Sequence, residues 1–221
     1  MLPKLFKKRV LMDRKKKGIL IAIEGIDGTG KSTQLKLLAE YLRDKGCEVI
    51  ETREPTDGEY GRQIRQLFVN RDKYTLEEEL TLFIEDRRQH VQEVIAPALA
   101  EGKVVLTDRY YFSTAAYQGA AGMDPAEVFS KNSFAPRPDI VILLTMSPEV
   151  SLVRIQELRG ETLNDFEQEE QLKKVADLFA SFEDPNIRRI SADAPLDSVA
   201  NEVQKAVDVL LENKMYQCEE S

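Results

Sequence analysis

The chain has 221 residues, 42% of them hydrophobic, and a formal charge of −8. That length can bury one substantial α/β core, and the acidic balance argues against a dedicated nucleic-acid binder. Two widely separated cysteines, Cys47 and Cys218, argue against a disulfide framework and fit a reducing cytosol; no apolar run reaches the roughly 18–20 residues that span a bilayer.

In chain order, residues 1–17 form a basic N-terminal extension. Lys4, Lys7, Lys8, Arg9, Arg14, Lys15, Lys16 and Lys17 face a single acid, Asp13. The segment lacks the apolar stretch of a signal peptide. It reads as a disordered, solvated arm rather than a membrane-surface or RNA-touching one, and Met12 is an alternative start. Residues 18–214 read as one domain and 215–221 as a polar tail. Gly18–Glu24 is a buried strand by its apolar, β-branched run. A glycine-rich turn follows, then a helix over Ser32–Lys45 that Gly46 terminates. Cys47–Thr52 is a second strand, Gly61–Asn70 a helix, and Leu76–Glu101 a longer helix that Pro97 bends or breaks. Lys103–Thr107 and Asp139–Thr145 are the third and fourth strands. Helices are expected over Pro148–Leu158 and Phe166–Phe182, a fifth strand over Ile187–Ser191, and a closing amphipathic helix over Leu196–Leu211. Strands alternating with helices, without hairpin turns, predict a three-layer, doubly wound α/β fold: a five-stranded parallel sheet flanked by helices. In such a sheet the active site lies beyond the carboxyl ends of the strands.

Gly25, Ile26, Asp27, Gly28, Thr29, Gly30, Lys31 and Ser32 fit G-x-x-x-x-G-K-[ST] at every fixed position, between a predicted strand and a predicted helix. Glycines let successive amides curl around phosphate oxygens, and the helix N-terminus adds partial positive charge. Lys31 is expected on the β- and γ-phosphates and Ser32 on Mg²⁺. Asp108 ends the third strand where a Walker-B-like carboxylate can hold the same cation, although a turn aspartate has the same appearance. Arg109 follows it, placed for an anionic substrate, and Arg53-Glu54-Pro55 ends the second strand. A phosphate loop alone does not separate kinase, GTPase and motor-type ATPase. No Asn-Lys-x-Asp guanine-reading motif occurs, which favours ATP.

Three blocks taken together, Glu24–Thr33 (EGIDGTGKST), Arg53–Pro55 (REP) and Asp108–Gly119 (DRYYFSTAAYQG), resemble the thymidylate kinases. The resemblance covers Lys17 to Leu211 and is most specific in the third block. It implies a dimeric P-loop enzyme that transfers the γ-phosphoryl of Mg·ATP to dTMP in dTTP biosynthesis. By this resemblance Asp27 contacts the acceptor sugar and helps orient its phosphate or the metal, although as a bare residue it is also a turn former. Phe83 and Arg87 match the pair over and beside the base; read alone, they are helix core and a solvated charge. Arg109 matches the group gripping the acceptor phosphate. Ser113, Thr114, Tyr117 and Gln118 match the segment touching base and sugar, with Tyr117 excluding a ribose hydroxyl. Arg53 and Pro55 shape the acceptor side, and Thr33 completes the ATP loop.

His90, the one histidine, matches no catalytic position and reads as a helix-surface residue. Gly28 stands where some relatives carry a basic residue, so the implied cation comes from a mobile lid over 154–166; Arg154 and Arg159 remain there, and Arg159, next to Gly160, is the expected lid cation, with Arg154 on ATP. Asp165 replaces an arginine expected there, and Glu167 follows. Two other readings stay open: a kinase for another nucleoside monophosphate, and a binding-only or regulatory relative.

Overall fold

Alternation along the first strand, β1 (Ile19–Glu24), decides the layering. Ile19, Ile21 and Ile23 join the apolar cluster on one face, Leu20 and Ala22 join the cluster on the other, and all six residues are buried. A strand wet on neither side belongs at the centre of a covered parallel sheet. The computed structural model describes residues 17–70, 73–159 and 165–219; the side chains of 158–159, 165–168 and 215–219 lie outside the description.

The remaining elements are α1 (Lys31–Asp44), β2 (Val49–Arg53), α2 (Glu59–Val69), α3 (Leu76–His90), α4 (Ala96–Ala100), β3 (Val104–Asp108), α5 (Tyr111–Ala120), α6 (Pro125–Lys131), β4 (Ile140–Thr145), α7 (Pro148–Arg159), α8 (Asp165–Ser181), β5 (Ile187–Ser191) and α9 (Leu196–Glu219). The five strands are all parallel, in the order β2-β3-β1-β4-β5. Helices α1 and α9 cover one face through Leu35, Leu38, Leu42, Val199, Val203 and Val207. On the other face Leu80, Ile95, Ala115, Val128, Val175 and Phe179 come from α3 through α8. The strand order reverses direction at β1 and β3, so a crevice opens at the carboxyl ends of those two strands.

Three local features differ from the sequence expectation. The helix predicted over 76–101 is three pieces: α3, a π-turn over Val91–Ile95, and α4. Pro97 has no amide hydrogen to donate, and the wider turn absorbs the defect by having the Ala96 amide donate to the Val91 carbonyl. Helices α5 and α6 were not delimited beforehand; α6 does carry a start signal, with Asp124 capping the Ala126 amide at 2.9 Å and Pro125 in the first turn. Finally, α9 runs on to Glu219, because residues 212–219 contain neither glycine nor proline to stop it.

The loop after β2 is held down on α2 and α3. Thr56 donates its amide and hydroxyl to Asp86 at 2.9 and 2.6 Å, and its backbone crosses α2 at Gly61. A Cβ on Gly61 would lie 1.9 Å from the Thr56 carbonyl oxygen, so only glycine lets the loop approach this closely. Gly61→Ala is therefore expected to destabilise the fold by about 1–3 kcal/mol, the usual range for overpacking. Urea unfolding checks this, and a change below about 0.5 kcal/mol would mean that the loop moves off α2 freely.

Candidate active site

The carboxyl end of β1 turns at Gly25 into a loop that closes on itself before α1. Thr29 donates its hydroxyl to the Ile26 carbonyl at 2.9 Å, and the Thr33 amide reaches back to Gly30 at 3.1 Å. Gly30 is left-handed at φ 83°, and no side chain caps the start of α1. Its first amides remain as donors for an anion. Lys31 is 7% exposed and its ammonium donates to the Ile26 carbonyl at 2.8 Å. Burial lowers its pKa to about 8, with the Arg109 charge acting in the same direction and Asp27, Asp108 and Glu24 opposing.

The start of α7 packs against this loop. The Ser151 hydroxyl donates to the Asp27 carbonyl, and a Cβ on Gly28 would meet the Ser151 carbonyl at 2.8 Å and its hydroxyl at 3.0 Å. Gly28 also has φ 80°. A basic side chain at position 28 is thus excluded by the packing of α7, which gives the sequence departure at this position a steric reason.

Ser32 and Asp108, predicted as cation ligands, stand together: the Ser32 hydroxyl donates to the Asp108 carboxylate. Among the described residues no three His, Cys, Asp or Glu side chains form a metal cage. Two hard oxygens at the mouth of a phosphate loop suit Mg²⁺, which takes most of its remaining oxygens from phosphate and water.

Arg109, next along β3, has φ 71°, the one positive value at a non-glycine among the described residues. Its amide donates to the Ile23 carbonyl at 2.9 Å, and the Thr107 hydroxyl holds its carbonyl at 2.8 Å. The guanidinium donates to Asp27 at 2.7 Å, to the Ser113 hydroxyl at 2.8 Å and to the Gly25 carbonyl at 3.3 Å. Its carbon also lies 5.1 Å from the centre of the Tyr117 ring. Asp27, Arg109, Ser113 and Tyr117 are therefore brought together. Behind them is a residue the sequence reading did not assign a role, Glu24. Fully buried, it accepts from the Tyr110 amide at 2.9 Å, the Ser113 amide at 3.2 Å and the Ser113 hydroxyl at 2.5 Å. Burial raises its pKa to about 7, against the pull of the Ser113 hydrogen bonds and the Arg109 charge.

A second cluster lies between β2, α3 and α5. Arg87 is 1% exposed and donates to Glu54, Thr114 and Asn132. His90, expected on the surface, is buried instead: Nδ1 lies 2.9 Å from Glu54 and Nε2 2.7 Å from the Thr52 hydroxyl. The reason is helical spacing, since positions 87 and 90 share one face of α3, and that face is turned to β2. Phe83, one turn earlier, keeps part of its ring exposed, 6.3 Å from the ring of Phe68. Gln118 is fully buried between α5 and α3, where its amide donates to Glu79 at 2.8 Å. Arg53 turns outward to Asp57 at 2.9 Å, and Pro55 is half-buried behind a cis peptide. Glu54, Asn132 and His90 were missed as site residues; only Glu54, inside the quoted Arg53–Pro55 block, carried any signal.

Arg154 is half-buried on α7. The side chain of Arg159, those of Asp165 and Glu167, and residues 160–164 of the expected lid lie outside the described residues.

A family model described as thymidylate kinase matches residues 23–203. A thymidylate kinase of Desulfotalea psychrophila is 53% identical over 194 residues, which is 88% of this chain and 96% of that protein. One of Akkermansia muciniphila is 48% identical over 195 residues (88% and 93%), and one of Xanthomonas euvesicatoria pv. vesicatoria is 42% identical over 198 (90% and 87%).

The lowered pKa of Lys31 makes phosphate binding pH-dependent. Below about pH 8 the ammonium is charged in the free protein; above it, a bound polyphosphate must draw a proton onto Lys31. Affinity for a nucleoside triphosphate is expected to fall up to about tenfold from about pH 7 to about pH 9, with proton uptake at the upper end. Calorimetry in buffers of different ionisation enthalpy measures both. Constant affinity without proton uptake would contradict this account of the lysine.

Proposed function

The chain belongs to the thymidylate kinase family, so it transfers the γ-phosphoryl of ATP to dTMP, and from that premise we propose which of its residues do the work. The observation that carries the assignment is Arg109: its guanidinium, fixed by a left-handed backbone, joins the phosphate loop at Asp27 to α5 at Ser113 and Tyr117. A cation held between the donor loop and an acceptor helix suits the phosphate of a nucleoside monophosphate.

In this reading Gly25–Thr33 wraps the ATP phosphates, and Lys31 leaves the Ile26 carbonyl for the β- and γ-oxygens. Asp27 and Arg109 hold the acceptor, so that a dTMP phosphate oxygen stands in line with the γ-phosphorus. Arg53, Pro55, Phe83, Arg87, Thr114, Tyr117 and Gln118 shape the base and sugar side, directly or from behind. Ser32 and Asp108 would hold Mg²⁺, which would supply charge that neutralises the polyphosphate. Arg154 and Arg159, on the helix that Ser151 ties to the loop, supply the lid cation, and closure excludes water.

The protein works as a homodimer in this proposal. Phe68, Val69, Tyr74 and Leu76 are exposed together where α2 meets α3, an apolar patch suited to a second copy. No helix among the described residues is long and apolar enough to cross a membrane. A cytoplasmic enzyme of nucleotide synthesis, without nucleic-acid or membrane partners, accords with the acidic charge.

An ADP-release assay with ATP, Mg²⁺ and dTMP, dUMP, dCMP, dGMP or UMP tests the whole reading. Turnover is expected to depend on the acceptor and to be greatest with dTMP. Arg109→Lys should raise the KM for dTMP roughly 10–100-fold while leaving the KM for ATP near its original value. An equal rise in both would remove Arg109 from the acceptor site.

A further inference from the structure

We infer that Glu54, braced by His90, is a positioning residue that fixes the direction of the Arg87 guanidinium and so sets the preference for an acceptor base with an exocyclic oxygen. The inference rests on the proposal that Arg87 faces the acceptor base.

The argument starts from the donors of one side chain. A guanidinium has five N–H groups. Glu54 Oε2 takes two of them, from Nε at 2.9 Å and from Nη2 at 2.5 Å. Thr114 Oγ1 accepts from Nη2 at 2.9 Å, and Asn132 Oδ1 accepts from Nη1 at 2.5 Å. Among the described residues these contacts account for four donors, and the remaining hydrogen is the second one on Nη1. The Arg87 side chain is 1% exposed and its carbon lies 5.3 Å from the Tyr110 ring centre, so it has no room to swing.

Glu54 is itself pinned. Its side chain is 4% exposed; Oε1 faces His90 Nδ1 at 2.9 Å, and His90 Nε2 faces the Thr52 hydroxyl at 2.7 Å. Without His90 the carboxylate can rotate about its last bond and release one of the two guanidinium contacts. The chain Thr52, His90, Glu54, Arg87 and Asn132 therefore runs from β2 through α3 to the end of α6, and each member orients the next.

A donor with a fixed direction discriminates by chemistry. It can bond an exocyclic carbonyl oxygen, whereas an amino group at that position presents hydrogens to a hydrogen. Loosening the guanidinium should reduce the penalty against the amino base as well as the affinity for the carbonyl base. A carboxylate that merely stabilises the fold would not affect the two bases differently.

The test compares Glu54→Gln, His90→Gln, His90→Ala and Arg87→Met with the original protein, reading KM and kcat for dTMP, dCMP and ATP. Glu54→Gln is expected to raise the KM for dTMP about tenfold or more, to lower the dTMP-over-dCMP preference by a similar factor, and to leave the KM for ATP within about twofold. His90→Ala should show a smaller change of the same kind, and His90→Gln, which can still donate to Glu54, should recover most of it. If Arg87→Met leaves the KM for dTMP and the base preference unchanged, the base-facing role falls and takes this inference with it. If Arg87→Met changes both while the Glu54 and His90 variants change neither, positioning is overturned and the base-facing role stands. An equal KM rise for dTMP and dCMP in Glu54→Gln also overturns it. Should Glu54→Gln fail to unfold cooperatively on heating, the paired histidine variants decide: loss of base preference in His90→Ala with recovery in His90→Gln supports the inference, and identical behaviour of the two overturns it.

Discussion

Glu24 ends the central strand with a carboxylate that has no access to water, and the site is organised around the hydrogen bonds this imposes. It accepts from the amides of Tyr110 and Ser113, the latter shared with the Tyr110 carbonyl, and from the Ser113 hydroxyl, all at the start of α5. The strand that leads into the phosphate loop is thereby fastened to the helix that carries the proposed acceptor residues. Arg109 lies in the short link between β3 and that helix, and its left-handed φ follows from being tied at both ends, to Ile23 by its amide and to Thr107 by its carbonyl. The backbone strain is sustained because the surrounding bonds leave the link no alternative. Donor and acceptor sides are thus held at a fixed separation before any ligand arrives, which is the condition for catalysis by positioning.

Buried charge is managed differently at each point of the cleft. Among the described residues the Lys31 ammonium donates to one carbonyl, and burial weakens its charge. Arg109 is held by a partly exposed carboxylate, Asp27, which an incoming phosphate can replace or join. Arg87 and Glu54 are instead a buried pair, with Thr114 and Asn132 accepting further guanidinium hydrogens. In the proposed function the first two groups meet the chemically changing phosphates and need to be adaptable. The third, in the same proposal, faces an unchanging base, and rigidity serves it.

Much of this was legible in the sequence. Strands β1, β3 and β4 were visible because a buried parallel strand needs a continuous apolar run, and the phosphate loop was visible because its glycines and Lys31 have fixed spacing. Ser32 and Asp108 could be paired on paper because each ends or begins an element next to the loop. The segment between Tyr110 and Asp139 was harder: α5 is apolar on most faces, so it lacks the amphipathic period that marks a helix. His90 was misplaced because a lone histidine among charged residues looks exposed, and only the docking of α3 on β2 reveals its partners. Gly28 looked like a missing cation until Ser151, far along the chain, showed why no side chain fits there.

The sequence by itself determined the parallel α/β layering, the phosphate loop and the family, because these depend on local periodicity and on short motifs with fixed spacing. Only the tertiary structure decided the environment of each charge: that Glu24 is buried under α5, that Arg87 and His90 both converge on Glu54, and that α7 closes over Gly28. Those relations join residues separated by dozens of positions. Their energies come from burial and from hydrogen-bond geometry, which exist only once the elements have packed.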